Sequence, residues 1–385
     1  MGFILLQALD QCYTKIMAGI FDYINWRGDL SFRKAPFNPV DNIILTHIAY
    51  FPFDRIVGGP EENRGITIAE AAKKISGILK KRPAAFDDEL VFRDDPALMA
   101  ALGSSERYGN LELRYYVNQI DPAAEKQFSA ISILGCGDFS LISYRGTDNT
   151  IVGWKEDFNM SFSDAVPAQL EAVSYLENTA LRVRGPLCLG GHSKGGNLAI
   201  YAAAFCKKSI RRRIRAIYSN DAPGFGPKVL ESSGFPQIKG RIQSFVPQSS
   251  VIGMLFEHPE DYTVVKSRQT GLMQHDVFSW ELGRDDVVRM KEMSQESIFM
   301  SRTLREWING LDSERRRRFT DALYEILLST ETNSLPKLGN DWLKSASLII
   351  RGYQGIDGDT KKLIAETVSA FFKAARNNIT MLLPH

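Results

Sequence analysis

The chain has 385 residues, of which 44% are hydrophobic and 24% charged, and its formal net charge is +2. This length suffices for one large core with flanking pieces, and the near-neutral balance leaves no electrostatic footprint for nucleic acid or an acidic membrane. Four cysteines, Cys12, Cys136, Cys188 and Cys206, are too sparse for a disulfide scaffold and lack metal-ligand spacing; Cys188 and Cys206 lie in apolar runs and read as core residues.

The first hundred residues read as mainly helical. An apolar patch from Phe3 to Leu9 is interrupted by Asp10 and lacks a basic flank and a cleavage site, so it does not read as a signal peptide. No apolar run reaches the ~18 residues of a membrane span. The expected compartment is the cytoplasm, with room for transient contact with a membrane surface. Trp26 to Leu30 reads as a turn, and Asn38-Pro39 as a second. Asp41 is placed to cap a helix through Ile43, Leu45, Ile48 and Ala49. Thr67-Ile68-Ala69-Glu70 fits a capping box and predicts a helix through Ile75, Ile78 and Leu79, closed by Lys80-Lys81-Arg82.

The pattern then changes. Leu111 to Ile120, Phe128 to Leu134 and Phe139 to Tyr144 have strand composition, with a hairpin turn at Gly135, Gly137 and Asp138. A loop containing Trp154 and Asp157 follows. Ala165 to Leu181 is helical in pattern, Leu187 to Gly190 is a short buried strand, and Asn197 to Lys208 is a small-residue helix. Ile214 to Ser219, Ile242 to Val246 and Tyr262 to Val265 are further strands. Strands alternating with helices imply a mixed, mostly parallel sheet. Beyond Gly283, Asp285 to Trp307, Ser313 to Leu328 and Thr360 to Asn377 read as helices. The four arginines Arg315 to Arg318 read as a solvated face above Phe319, Leu323 and Leu327, or alternatively as a phosphate or headgroup contact. Asp357-Gly358-Asp359 is a polar turn, too short for a calcium loop. The expected organisation is a helical extension over 1–108, a core over 109–283 and a helical region over 284–385 that packs on the core or caps it.

One motif carries chemistry. Gly191-His192-Ser193-Lys194-Gly195-Gly196 matches G-x-S-x-G and sits between a predicted strand and a predicted helix. The serine needs a strained turn that lifts its hydroxyl above the sheet, and the glycines let neighbouring backbones pass closely. The Lys194 N–H, at a helix N-terminus, is the first oxyanion-hole candidate. Ser143-Tyr144-Arg145-Gly146-Thr147 supplies a second: Thr147 offers an N–H and a hydroxyl, while Arg145 reads as structural.

These segments resemble the class 3 lipase branch of the α/β hydrolases. Tyr-Arg-Gly-Thr at 144–147, Gly153 to Phe158 and the elbow are similar to that family's Phe-Arg-Gly-Thr, Asp-Trp-x-x-Asp-Leu and Gly-His-Ser-Leu-Gly-Gly blocks, over roughly residues 110 to 280. The whole chain more closely resembles a bacterial family of uncharacterised lipase-related proteins, through Asp22 to Leu30, Phe37 to Asn42, Asn220 to Phe225 and Gln274 to Trp280. The resemblance implies an α/β-hydrolase fold and hydrolysis, and supplies no established substrate.

A serine hydrolase also needs a base and an acid that orients it. Of five histidines, His192 reads as packing, His385 is terminal and His47 lies in the helical extension. His275 is the preferred base and corresponds to the resembled family's catalytic region; His258 is the second choice. Where that family places its acid, this chain reads Val246-Pro247-Gln248-Ser249-Ser250, without a carboxylate. Asp221, at the end of the preceding strand, is the leading substitute. Ser249 or Ser250 as a neutral partner is the alternative, and Asp276 is too close in sequence to orient His275 naturally. An active site should bring Ser193 Oγ within about 3 Å of a histidine nitrogen, or somewhat farther in an unliganded form.

The reading is a serine hydrolase for a lipid-like or small acyl ester, without metal or organic cofactor. Met254, Leu255 and Phe256 are candidates for the substrate cleft. Thioesters and peptides call for the same groups. The reading from another class is a non-catalytic hydrolase scaffold that binds a ligand or a protein.

Overall fold

The structure is a computed structural model that describes residues 19–379 apart from 63, 87–88, 149, 329–349 and 351. The Phe3–Leu9 patch, Cys12 and His385 lie outside the described residues.

The N-terminal part is built from α1 (Ile20–Arg27), α2 (Pro39–His47), α3 (Ile68–Lys81) and α4 (Asp95–Ser104). The α2 helix starts earlier than expected. Asn38 is its cap and accepts from the Val40 and Asp41 N–H groups, Pro39 takes the first helical position, and Asp41 closes the capping box instead of capping. Thr67 and Glu70 form the expected capping box on α3. Asp41 instead anchors a buried cluster. Arg107 Nε and Nη2 donate to its two oxygens at 2.7 and 2.5 Å, and the Tyr108 hydroxyl adds a third bond at 2.6 Å.

Eight strands form one sheet in sequential order: β1 (Ile66–Thr67), β2 (Glu112–Asp121), β3 (Lys126–Leu134), β4 (Ser140–Tyr144), β5 (Leu187–His192), β6 (Ile214–Asn220), β7 (Ile242–Pro247) and β8 (Tyr262–Val265). β1 to β4 pair antiparallel and β4 to β8 parallel, as the sequence pattern predicts for the later strands. The parallel strands are apolar on both faces, because helices cover both. Leu141 and Cys188 point into the core beneath α1–α4, while their neighbours Ile142, Leu187 and Leu189 point into the opposite core. That second core is closed by α6 (Pro167–Arg182) and α7 (Lys194–Phe205). The segment holding Trp154 and Asp157 is helix α5 (Ile151–Asn159), not a loop; Thr150 caps it by accepting from the Gly153 N–H. Cys136, Cys188 and Cys206 are buried free thiols.

In the C-terminal part, α8 (Gln295–Asn309), α9 (Ser313–Leu328) and α10 (Gly358–Asn378) are helical. The expected helix from Asp285 begins ten residues late, at Gln295. The chain before it is extended and bridges Val265 to Arg289 and Leu282 to Val287, which thickens the β8 edge. Asp357 caps α10 by accepting from Thr360 N–H. Among the described residues, no helix is long and apolar enough to cross a membrane. A mixed sheet, helices on both faces and a sharp turn between β5 and α7 make this an α/β-hydrolase fold.

Candidate active site

Ser193 is the residue between β5 and α7, with φ 57° and ψ −134°. This is a strained conformation for a residue with a Cβ, and it turns the hydroxyl off the end of β5. Glycines around it are dictated by contact. A Cβ on Gly195 would lie 2.1 Å from Tyr144 O, and one on Gly146 would lie 2.0 Å from Tyr50 Oη and 3.0 Å from Ser193 Cβ. The Tyr144–Thr147 segment therefore runs directly against the elbow, as an oxyanion-hole segment must.

The structure brings His275 and Asp221 together. His275 Nδ1 and Asp221 Oδ2 are 2.7 Å apart. Because a carboxylate only accepts, Nδ1 carries the proton and Nε2 is left as the basic nitrogen. Asp221 is fully buried just beyond β6, with φ 49°. Its N–H donates to Phe245 O at 2.7 Å, and its other oxygen accepts from Ser250 Oγ at 2.5 Å. Ser250, expected as an alternative neutral partner of His275, instead donates to Asp221, while Ser249 Oγ donates to Ser294 Oγ. The remaining described histidines are occupied elsewhere. His47 pairs with buried Asp95 at 2.7 Å, and both His258 nitrogens are engaged, by Glu260 and Leu255 O. Asp276 accepts from the Phe278 N–H and so caps a turn rather than reaching the base.

His192 does more than pack. Its Nε2 lies 2.7 Å from the His275 carbonyl and its Nδ1 lies 3.0 Å from Tyr50 Oη. The carbonyl can only accept, so Nε2 is protonated and Nδ1 accepts from the tyrosine; the network assigns this tautomer. Burial, reinforced by the charges of His275 and His47, holds the His192 pKa well below its usual value and keeps the ring neutral. The backbone of the base is thereby tied to the elbow itself.

Lys194 carries an unexpected second feature. Its side chain is buried, and Nζ lies 2.9 Å from Glu156 Oε2, 2.9 Å from Gln127 Oε1 and 3.6 Å from Asp157 Oδ1. Burial acts to lower the lysine pKa, yet Glu156 and Asp157 raise it overall. Asp157 in turn accepts the Thr147 hydroxyl. Arg145 is buried and pairs with Asp148 at 3.1 Å, in the structural role predicted for it.

Burial pushes the Asp157 carboxyl up from 3.8 to about 6, against the opposing pull of Lys194. A carboxyl with a raised folded-state pKa takes up its proton more readily when folded, so its contribution to stability falls as pH rises from about 4 to about 6. Its side chain retains 32% exposure, so solvent screens the effect. Urea midpoints measured from pH 4 to pH 7 will fall less steeply with rising pH in Asp157→Asn than in the wild type. Superimposable profiles would show that Asp157 has an ordinary carboxyl.

Ser193, His275 and Thr147 line one cavity of 390 Å³, a size typical of small-molecule sites at about 300–1,000 Å³. Its walls are mainly apolar. Trp154 and Phe158 of α5 contribute one side, Val251, Ile252, Leu255 and Phe256 another, and Leu304, Trp307 and Phe319 of α8 and α9 a third. Leu255 and Phe256 face the cavity as expected, whereas Met254 packs against Val246, Val264 and Met293. Among the described residues Ser193 Oγ forms no hydrogen bond, so Ser193 and His275 line the same cavity without being hydrogen-bonded to each other. No group of metal-ligating side chains occurs among the described residues.

Tyr50, Glu156 and the C-terminal wall were not singled out from the sequence. Tyr50 lies 142 positions from His192, and no local pattern announces such a pairing. A buried cation next to the nucleophile was the available signal for Glu156, since it needs a carboxylate partner.

Comparison with solved structures finds lipases. The Rhizomucor miehei lipase propeptide complex is similar at 12% identity, with 57% of this chain and 83% of that chain covered and a TM-score of 0.35. The lipase from Rhizopus microsporus var. chinensis is similar at 12% identity, with coverages of 54% and 78% and a TM-score of 0.33. The M37 lipase is similar at 15% identity, with coverages of 56% and 69% and a TM-score of 0.31. Comparison with curated proteins finds no match. A family model matches residues 102–325, which is more than half of the chain and takes in Thr147, Ser193, Asp221 and His275. The chain belongs to the Mbeg1-like family.

Proposed function

We propose that this protein is a serine hydrolase that cleaves a carboxylic ester with an apolar acyl part. The observation that carries the reading is the Asp221–His275 bond of 2.7 Å on the wall of the cavity that Ser193 lines. Ser193 Oγ attacks the ester carbonyl as His275 Nε2 takes its proton, which requires the pair to close to about 3 Å. The Lys194 N–H and the Thr147 N–H hold the tetrahedral oxyanion, while the Thr147 hydroxyl stays donated to Asp157. His275 then gives the proton to the leaving alcohol as the C–O bond breaks. Water, deprotonated by His275, releases the acid from Ser193. Exposed Trp154 and Phe158, at 45% and 38%, suit an enzyme in the cytoplasm that meets its substrate at a membrane surface.

A fluorophosphonate probe tests this directly. Wild type will label covalently, Ser193→Ala will not, and His275→Ala will label at least about a thousandfold more slowly. Folded wild-type protein that stays unlabelled would favour the second reading, a binding scaffold. One observation speaks for that reading: Ser193 Oγ has no hydrogen bond to His275.

A further inference from the structure

The run Arg315 to Arg318 lies in the first turns of α9, which starts at Ser313. Cations there oppose the helix macrodipole, which favours acidic groups at an N-terminus. Arg315, Arg317 and Arg318 are exposed and solvated. Arg316 is not. It is half-buried, and it lines both the apolar cavity of Ser193 and an adjoining polar pocket of 200 Å³. The two spaces also share Met160 and Ser161.

Arg316 Nε donates to Leu311 O at 2.9 Å, and Nη1 donates to Ser161 O. Among the described residues Nη2 has no hydrogen bond, and no carboxylate lies within ion-pair range. The other cation of the polar pocket, Lys228, is neutralised by Asp164 at 2.5 Å. Burial lowers the Arg316 pKa, and Asp312 only partly offsets it. A partly desolvated guanidinium fork without a counter-ion, placed where an apolar chamber meets a polar one, suits an oxyanion that accepts two N–H bonds.

We propose that Arg316 holds a phosphate on the alcohol half of the substrate, which is an acyl ester of a phosphorylated polyol such as a lysophospholipid. The acyl chain occupies the Ser193 cavity and the phosphate reaches the polar pocket. This rests on the hydrolase reading for its chemistry, but binding can be tested without turnover.

The probes are two ether-linked ligands that no esterase can cleave, 1-O-dodecylglycerol 3-phosphate and 1-O-dodecylglycerol. Calorimetry on the full chain should show the phosphate ligand binding about ten- to a hundredfold more tightly. Arg316→Gln will bring that ratio close to one, and Arg316→Lys will keep part of it, because charge remains but the fork is lost. Arg316 also clamps α9 to Ser161, so a second variant guards against misfolding. Ser313→Glu places a carboxylate in the polar pocket at a helix start that tolerates acid, and it too will erase the preference. An undiminished ratio in folded Arg316→Gln and Ser313→Glu, or no preference in the wild type, overturns the proposal. So does displacement of the phosphate ligand by inorganic phosphate at equal concentration, which would mark a simple anion site. Arg316-dependent binding in a protein that fluorophosphonate does not label would leave this site standing and remove the hydrolase reading alone.

Discussion

Asp221→Asn will lower kcat on a short acyl ester by about 10⁴, with much less change in KM, as removal of the orienting carboxylate does in serine hydrolases generally. The cause is specific to this geometry. Asp221 Oδ2 holds the Nδ1 proton of His275 at 2.7 Å, and the aspartate is buried where water cannot replace it. An asparagine that turns its amide toward the ring donates to Nδ1 and forces the proton onto Nε2, the nitrogen that must be basic. It also loses the charge that stabilises the imidazolium formed in the transition state. Ser250→Ala will cost far less, because it removes only the bond that steadies Asp221 through Oδ1. Steady-state kinetics of both variants, with urea unfolding as a control, decides the matter. A folded Asp221→Asn enzyme within about tenfold of wild type would place the acid elsewhere.

Lys194→Leu will destabilise the protein by about 3–5 kcal/mol, the usual cost of stripping one partner from a buried ion pair. The substitution leaves Glu156 fully buried without its cation. Two backbone bonds remain to that carboxylate, from Gln127 N–H at 3.0 Å and Ala168 N–H at 2.8 Å, and they are too few to offset the loss of the ammonium. Adding Glu156→Gln will restore much of the stability, since the pair is then absent rather than broken. Chemical denaturation of the two single variants and the double variant measures the coupling. A single Lys194→Leu within 1 kcal/mol of wild type would mean that the buried cation is dispensable.

Features set by local backbone demands were legible in the sequence. The elbow could be read because only a strand, a strained serine and close-packed glycines satisfy its geometry. The mixed, mostly parallel sheet followed from the alternation of strand-like segments with helices. The pairing of Asp221 with His275 was reachable only by elimination: Pro247 to Gly253 hold no carboxylate, and Asp221 follows the neighbouring strand. The segment at 151–159 was misread because Gly153 and Trp154 weaken its helical pattern, whereas Thr150 capping and packing of α9 against α5 decide it. The late start of α8 has a similar cause. Residues 285–294 contain helix-forming side chains, but Val287 and Arg289 are recruited to extended bridges with partners that no periodicity reveals. Lys194 could be read as an N–H donor from its place in the motif; its side-chain role depends on Gln127 and Glu156, which reach it from 67 and 38 positions away.

Asn42 of α2 and Asn220 at the end of β6 exchange two amide bonds, at 3.0 and 3.1 Å, across 178 residues of chain. Asn220 also donates to Thr46 Oγ1 at 2.9 Å, and it immediately precedes Asp221. During synthesis α2 leaves the ribosome long before β6 does. The Thr46 hydroxyl can already donate to Asn42 O within the helix, but the Asn42 amide has only water as partner until β6 docks. Closing so long a loop carries an entropic cost that is met before the contact between Asn42 and Asn220 repays it. The Ser193 turn thus leaves the ribosome before Asp221 and His275 do.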